Sequence, residues 1–342
     1  GFRVHVGGNI GTPLIDRLDQ IMPGDKVVME LSSFQLELMD GSPAIAGLLN
    51  ITPNHLDRHP SMSHYAAAKA NILRFQGRGD TAVLNADDAY TGAWLASGRV
   101  RVDAGEGQEA LYFPLQASLH SFSLVHEVAV GAFMQGERLV LRREGQPDAH
   151  ICDSAGMRLR GRHNRANMLA AAALASAAGA GPAEMAAVAT TFTGVEHRLE
   201  IVRQRNGVLW INDSIATAPE RTVAAITSFD EPLVLLLGGR DKHLPWDECA
   251  AEVHRSRVRK VILFGEAAGL IAEALSQYAA RENVEPVAIA RVADLENAVA
   301  EAARCAQPGD VVLLAPGGTS FDQYVDFAAR GQHFRDLVEN LP

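Results

Sequence analysis

The strongest constraint on the fold is the alternation of short apolar runs with stretches of helical periodicity. Largely apolar runs occupy residues 27–31, 46–51 and 81–85, and each is typical of a buried strand. Between the last two runs, residues 62–75 place apolar side chains at helical spacing. Strands that alternate with helices predict a mostly parallel sheet with helices on both faces, an α/β fold.

The pattern changes between residues 111 and 159. Short segments such as 121–125 and 138–141 resemble strands joined by turns, which predicts a small antiparallel region added to the sheet. An alanine-rich helix is expected over 165–180, and a second one after Pro182.

A second α/β unit follows. Strands are predicted at the five apolar runs 208–211, 233–237, 261–264, 286–290 and 311–315, with helices between them. This order predicts an open, doubly wound, Rossmann-like domain. The chain is therefore expected to hold two domains, residues 1–195 and 196–342.

Charge and composition exclude several classes of partner. The formal net charge of −10 disfavours nucleic acid and anionic membrane surfaces. No apolar run reaches the roughly 18 to 20 residues that span a bilayer. The three scattered cysteines are expected to be reduced thiols in a cytoplasmic protein. The opening segment GFRVHVGGN lacks an initiator methionine and a signal peptide, so we expect an N-terminal truncation.

Ligands of open α/β sheets bind at the carboxyl ends of the strands, so polar residues just after strands are the candidates. Glu30 ends an apolar run and is followed by Ser32 and Gln35. A carboxylate at this place suits Mg²⁺, which takes oxygen ligands. Alternatively, Glu30 pairs with a nearby base and Ser32 caps a helix.

A second polar cluster follows the next apolar run. His55 and Asp57 lie two residues apart there. Further histidines stand at His59 and His64. The alternative is a polar surface loop, because a lone histidine more often structures a loop than binds metal. Lys69 follows inside an apolar helix, where a lysine usually extends its ammonium group to solvent.

Asn164 and Asn167 stand at the expected start of the first alanine-rich helix. They are three residues apart, hence on one helical face, and their amides could read the edge of a base. The alternative is that Asn164 only caps the helix.

The second unit has its own polar loops. Arg198, at the domain junction, could pair with phosphate, and Asp213, after a strand, could accept a ribose hydroxyl. The glycine-containing loops 237–242 and 315–323 follow strands. The second is also expected to precede a helix, whose first N–H groups favour an anion. Alternatively, these loops are only turns.

Taken together and in order, these segments resemble the Mur ligases over nearly the whole chain. The segments that carry the resemblance are GGNIG 7–11, ELSSFQ 30–35, the loop 50–58, YAAAK 65–69, NADD 85–88, HNRAN 163–167, HRLE 197–200, NDS 212–214, GG 238–239 and SFDQ 320–323. The resemblance implies most of a central ATPase domain followed by a Rossmann-like amino-acid-binding domain.

The resemblance also implies a reaction. ATP would phosphorylate the terminal carboxylate of UDP-N-acetylmuramoyl-L-alanine, and the amine of glutamate would attack the acyl phosphate. The catalytic residues would be Glu30, His55 and Lys69, with Glu30, His55 and a carbamylated Lys69 supporting Mg²⁺.

The remaining roles follow by position in the motifs. The implied contacts to the nucleotide-sugar substrate are Asn9, Ser32 and Gln35. The implied contacts to ATP are Asn164, Asn167, Arg198 and Asp213. The implied contacts to glutamate are Thr217, Lys242, Ser320 and Phe327. The family also implies a cytoplasmic monomer that closes its domains around the reactants.

The chain departs from the family in three places. The phosphate-binding loop of form G-T-N-G-K-T, expected just before Gly1, is absent, so the fragment alone is predicted to be inactive. Ile215 stands where the glutamate-adding members often have lysine, and Gly-Gly-Thr at 317–319 replaces a frequent Ala-Cys-Ala. D-glutamate, the commoner substrate, is expected.

Three alternatives stay open. They are an L-glutamate-adding variant, a ligase similar to folylpolyglutamate synthase, and a non-catalytic ATP-binding homologue. A dinucleotide oxidoreductase is disfavoured, because residues 7–11 do not match G-x-G-x-x-G.

Overall fold

The computed structural model describes residues 1–9, 13–52, 59, 61–102, 111–159 and 161–342. The chain forms two compact units. The first comprises Gly1–Met157 and His163–Phe192, and the second comprises Arg158–Arg162 and Thr193–Pro342. Among the described residues, each helix is too short or too polar to span a lipid bilayer.

Strands and helices alternate in the first unit as the sequence predicts. Its strands are β1 (Val4–Gly8), β2 (Lys26–Glu30), β3 (Ile45–Leu48), β4 (Thr81–Asn85), β5 (Arg99–Val102), β6 (Leu111–Pro114), β7 (Ser118–Ser123), β8 (Gly131–Gln135), β9 (Arg138–Arg142) and β10 (Ala149–Asp153). Its helices are α1 (Ser33–Glu37), α2 (Met62–Arg74), α3 (Ala89–Ser97), α4 (Arg162–Ala177) and α5 (Pro182–Thr191). Short 3₁₀ turns occupy Leu14–Gln20 and Ser154–Gly156.

The main sheet of this unit has the order β10-β9-β8-β7-β4-β3. Strands β3, β4, β7 and β8 run parallel, whereas β8, β9 and β10 run antiparallel. The predicted antiparallel region is therefore present but shorter than expected, because β7 continues the parallel part. Leu84 of β4 and Leu169 of α4 are fully buried in the two cores on the faces of this sheet.

Strand β2 forms where the sequence predicts it, but the prediction that it is buried is wrong. Val28 and Met29 are 55% and 50% exposed. Among the described residues, β2 pairs in parallel with β1 and these two strands form a sheet of their own. A parallel strand is buried only when other elements cover both faces of its sheet, which an apolar run alone does not report.

The second unit is an open α/β sheet. Its strands are β11 (Glu200–Arg205), β12 (Val208–Asn212), β13 (Leu233–Gly238), β14 (Val258–Phe264), β15 (Ala288–Arg291) and β16 (Val311–Gly317). Its helices are α6 (Pro219–Ile226), α7 (Asp247–Arg255), α8 (Ala268–Glu282), α9 (Leu295–Cys305) and α10 (Phe327–Glu339).

The sheet order of the second unit is β11-β12-β16-β13-β14-β15, and every pair except β11–β12 is parallel. Helices α6, α7 and α8 cover one face, and α9 and α10 cover the other. Leu235 and Val312, which point to opposite faces, are both fully buried. This confirms the predicted doubly wound architecture.

Strand β16 lies between β12 and β13. The loops that follow these three strands therefore meet at the carboxyl edge of the sheet. In open α/β sheets, ligands bind at such a point, where the strand order reverses. The backbones of Arg240 and Thr319 exchange hydrogen bonds of 2.8 and 2.9 Å across two of these loops. Gly239 has a φ of +92°, and a Cβ there would lie 2.2 Å from the Thr319 carbonyl oxygen, so the close approach requires glycine.

Candidate functional site

The carboxyl end of β2 brings Asn9 and Glu30 together. The Asn9 side-chain amide donates to Glu30 Oε1 at 3.2 Å, and the Asn9 backbone N–H donates to the Glu30 carbonyl oxygen at 2.8 Å. Glycine at position 8 makes this approach possible, because a Cβ there would lie 2.3 Å from the Glu30 carbonyl oxygen. Two predicted site residues therefore share one strand end.

Ser32 and Gln35 form a capping box at the start of α1. The Gln35 backbone N–H donates to Ser32 Oγ at 3.3 Å, and the Ser32 backbone N–H donates to Gln35 Oε1 at 2.9 Å. This arrangement satisfies two helix N–H groups that would otherwise lack partners. The alternative interpretation of Ser32 as a helix cap is confirmed, and its substrate contact stays a prediction.

Lys69 lies half-buried on α2, and its Nζ is 5.7 Å from the centroid of the Tyr65 ring. Burial lowers the pKa of Lys69, and the negative charge of Glu30 partly opposes this shift. A lowered pKa increases the fraction of neutral amine, the form that reacts as a nucleophile. Lys69 therefore differs from a lysine that only extends into solvent.

His55 and Asp57 lie outside the described residues. The chain just after β3 is held in place by hydrogen bonds from the 85–88 motif. Asp88 caps α3 and also accepts from the Ile51 backbone N–H at 3.0 Å. The Asn85 side chain donates to the Leu49 carbonyl oxygen at 2.8 Å. This motif thus fixes the chain after β3 against the end of β4.

Asn164 and Asn167 lie in the first two turns of α4, Asn164 partly buried and Asn167 exposed. The helix begins at Arg162, three residues before the predicted start, so Asn164 is its third residue. The capping alternative for Asn164 is therefore wrong, because a cap precedes the first helical residue.

Asp213 is the most perturbed carboxylate of the second unit. It is buried after β12, and Oδ1 accepts from the Leu199 backbone N–H at 3.0 Å. Burial raises the pKa of Asp213 to about 6, and this hydrogen bond and the charges of Arg198 and Arg221 partly oppose the shift. A buried, perturbed carboxylate at a strand end is typical of a functional site.

The segment that donates to Asp213 has an unusual backbone. His197 and Leu199 have φ values of 64° and 44°, in the left-handed region. Such conformations cost of order 1 kcal/mol each in residues other than glycine and cluster at functional sites. His197 and Asn212 hold the segment through a 3.1 Å hydrogen bond, and the exposed Arg198 lies between the two strained residues.

Lys242 and Thr217, both predicted to contact glutamate, meet at the carboxyl edge of the sheet. Lys242 Nζ donates to Thr217 Oγ1 at 3.3 Å. Desolvation lowers the pKa of Lys242, and the positive charges of Arg221 and Arg330 lower it further, against the opposing charge of Glu220. A surplus of positive charge around Lys242 favours an anionic ligand.

Arg330 is a residue of this edge that the sequence motifs do not reveal. Its guanidinium is fully buried and donates to Ser214 Oγ at 3.0 Å, to the Ser214 carbonyl oxygen at 2.8 Å and to the Gly318 carbonyl oxygen at 3.2 Å. Burial lowers the pKa of Arg330 to about 10. The sequence contains one signal for the burial of Arg330. This arginine stands four residues before Phe334 and eight before Val338, which places it on the apolar face of the last helix.

The other two predicted glutamate contacts, Ser320 and Phe327, flank the turns between β16 and α10. Ser320 is buried, and the Phe327 carbonyl oxygen accepts from Ser214 Oγ at 2.8 Å. As predicted, the loop 315–323 precedes a helix, and this helix, α10, begins at Phe327. Asp326 caps that helix, accepting from the Ala329 N–H at 2.7 Å, so the helix start already holds a carboxylate.

Comparisons with known proteins agree with this architecture. Residues 17–175 match the model of the Mur ligase middle domain, and residues 197–318 match that of the Mur ligase glutamate ligase domain. A solved structure of MurF ligase from Thermotoga maritima in complex with ADP matches with a TM-score of 0.63 and 16% identity, covering 99% of this chain and 74% of that one. At this identity the match shows the fold.

Closer relatives define the group. The UDP-N-acetylmuramoylalanine--D-glutamate ligase of Symbiobacterium thermophilum is 43% identical over 341 residues, which are 100% of this chain and 70% of that protein. The protein of the same name from Acetivibrio thermocellus is 39% identical over 343 residues, covering 100% and 69%. The chain therefore belongs to the Mur ligase family, as the motifs predict. Within that family it is similar to the D-glutamate-adding ligases.

The raised pKa of Asp213 predicts a pH dependence of stability. The folded state holds the Asp213 proton to a higher pH than the unfolded state does. The stability that this preference for the protonated carboxyl contributes is therefore fully present below about pH 4 and is lost as pH rises through about 6. Between pH 4 and 7, Asp213→Asn should gain stability relative to the parent protein, by up to about 3 kcal/mol. Urea unfolding at both pH values measures the difference.

The exposed Asp336→Asn variant is the matched control. Parallel stability curves for Asp213→Asn and the parent protein between pH 4 and 7 would contradict the burial argument.

Proposed function

We propose that the protein containing this chain is an ATP-dependent amide-bond ligase that adds D-glutamate to UDP-N-acetylmuramoyl-L-alanine in peptidoglycan precursor synthesis. Similarity to the D-glutamate-adding ligases over the whole of this chain supports this most strongly, because it also covers 70% and 69% of the two relatives. In the proposed reaction, ATP transfers its γ-phosphoryl group to the alanine carboxylate, and the glutamate amine then displaces phosphate from the acyl phosphate. ADP and phosphate are released.

The proposed glutamate site lies at the carboxyl edge of the second unit, within residues 196–342. Thr217, Lys242, Ser320 and Phe327 are the proposed contacts. The positive surplus around Lys242 supports a site for the glutamate carboxylates, because opposite charge lowers the cost of bringing a carboxylate out of water. Arg330 is itself buried and would act by holding the loops in place.

The proposed contacts to ATP are Asn164, Asn167, Arg198 and Asp213. The asparagine amides can both donate hydrogen bonds to the edge of the base and accept them from it. Asp213 can accept a hydrogen bond from a ribose hydroxyl. Arg198 is exposed and always charged, which suits phosphate. Residues 1–195 are the proposed ATP-binding domain, and they hold Asn164 and Asn167 of these contacts.

The strand end at β2 fits a magnesium-supported site for the nucleotide-sugar substrate. Glu30 offers the carboxylate oxygen that Mg²⁺ prefers, and the Asn9 amide donates to it. Ser32 and Gln35 follow at the start of α1. The proposed ligands are Glu30, His55 and a carbamylated Lys69. Mg²⁺ would supply charge neutralisation for the phosphoryl groups, and the protein groups would hold the reactants in line.

Phosphate release identifies the acceptor amino acid. With ATP, Mg²⁺ and UDP-N-acetylmuramoyl-L-alanine, the full-length protein that contains this chain should release phosphate on addition of D-glutamate. Release should stay at background with lysine, diaminopimelate or no amino acid, because the Lys242 edge favours an acidic side chain. A coupled phosphate assay measures the initial rates, and L-glutamate and folate substrates test the related alternatives.

Turnover with diaminopimelate but not with glutamate would defeat the assignment. Binding of ATP without phosphate release under any of these conditions would favour the non-catalytic homologue instead.

The proposed carbamate on Lys69 should be essential for activity, because it would supply an anionic group. Lys69→Ala is expected to lower the rate at least about 100-fold, because it removes a positioned anion at the phosphoryl-transfer site. Bicarbonate, acetate or formate should restore part of that rate in the variant by supplying an external carboxylate. Lys26→Ala, on the same unit, serves as the control and should keep the parent rate without added anions. Full activity of Lys69→Ala would reject the proposed role.

A further inference from the structure

We propose that Glu37, His59 and His64 form a second metal site, for a transition ion of the Zn²⁺ class, separate from the magnesium site proposed at Glu30. Glu37 ends α1, His59 lies two residues before the α2 cap Ser61, and His64 lies in the first turn of α2. One ligand atom from each lies within reach of a single ion.

The distances among the ligand atoms match the coordination sphere of zinc. His59 Nδ1 lies 3.2 Å from His64 Nδ1 and 3.3 Å from Glu37 Oε1, and the remaining pair is 3.7 Å apart. Zinc bonds of about 2.0 to 2.1 Å in a tetrahedral arrangement place neighbouring ligand atoms about 3.4 Å apart. The three atoms therefore already form one face of such a tetrahedron.

The central ligand is held rigidly. His59 is 2% exposed, and its ring stacks on Phe34 with centroids 5.3 Å apart and an angle of 7° between the planes. Tyr65 contacts the same ring edge-on at 5.2 Å. A ring packed in this way keeps its nitrogen aimed at the site, so little ordering is needed on binding.

A hydroxyl group supports the required tautomer. His59 Nε2 lies 2.9 Å from Ser33 Oγ. A proton on Nε2, donated to this oxygen, leaves the Nδ1 lone pair facing Glu37 and His64. Metal-bound histidines nearly always use their second nitrogen in this way, and loss of the partner typically weakens binding 10- to 100-fold.

The donor set selects the class of ion. Two imidazoles and one carboxylate suit zinc and its neighbours in the first transition series, whereas Mg²⁺ prefers oxygen ligands only. Glu37 and His64 are partly exposed, with side chains 35% and 40% accessible, so an ion can enter and a fourth ligand can come from water. Binding would tie α1 to the start of α2.

A metal-free arrangement accounts for the same contacts in a different way. A proton shared between His59 Nδ1 and His64 Nδ1 would give an ordinary hydrogen bond at their 3.2 Å separation. The two explanations differ in one measurable respect, because only the metal site gives a tight, histidine-dependent binding event.

The test is titration of the EDTA-stripped protein with Zn²⁺ against a chromophoric chelator, in 5 mM Mg²⁺ to keep hard-cation sites filled. The parent protein should bind one zinc ion that His64→Gln and Glu37→Gln each weaken at least tenfold. Ser33→Ala should weaken it by roughly tenfold, since it removes the supporting hydroxyl. Co²⁺ should give the visible absorption of a tetrahedral site in the parent protein and not in His64→Gln.

Two controls isolate the site. His150→Gln removes another partly exposed histidine paired with one carboxylate, Asp153, and should leave zinc affinity unchanged. Glu30→Gln should also leave it unchanged, which separates this site from the proposed magnesium site. Circular dichroism without zinc checks that each variant is folded.

Zinc affinity that is equal in the parent protein, His64→Gln and Glu37→Gln would overturn the proposal, as would the lack of any zinc binding tighter than millimolar. Loss of zinc binding in Glu30→Gln would place the ion at the magnesium site and overturn it as well.

Discussion

The carboxyl edge of the second unit depends on one buried cation. Arg330 reaches from α10 into the sheet edge and donates to both the loop after β12 and the loop after β16. A fully buried charge is costly unless hydrogen bonds replace the lost water, and here carbonyl and hydroxyl oxygens do so. Because the backbones of Arg240 and Thr319 also pair, the loop after β13 is joined to the same assembly.

This arrangement supports the proposed binding of an anionic amino acid at this edge. Arg330 donates its hydrogen bonds to the loops. Its positive charge, like that of Arg221, also lowers the pKa of Lys242. Lys242 in turn contacts Thr217. The protein thus keeps positive charge near the proposed glutamate contacts, and its hydrogen bonds hold the loops that carry them. Such preorganisation would favour the proposed reaction.

The sequence predicted the framework well, because strands and helices follow from local periodicity. Strand β4 and helix α2 lie within a residue of their predicted limits. Pairings between distant residues were harder to predict. The exposure of β2 depends on what covers its sheet, and the start of α4 depends on residues before its periodic part. Arg330 lies outside the motifs that carry the resemblance, and only the fold brings it to Ser214 and Gly318.

The carboxyl edge of the second unit around Lys242 is the proposed binding site of the glutamate carboxylate. The most direct measurement is the KM for D-glutamate in Lys242→Met, with Arg255→Met, on the exposed end of α7, as the control. Loss of a charge-assisted contact should raise this KM at least about tenfold and leave the KM for ATP within about twofold. An unchanged KM for D-glutamate, or equal increases for both substrates, would contradict the account.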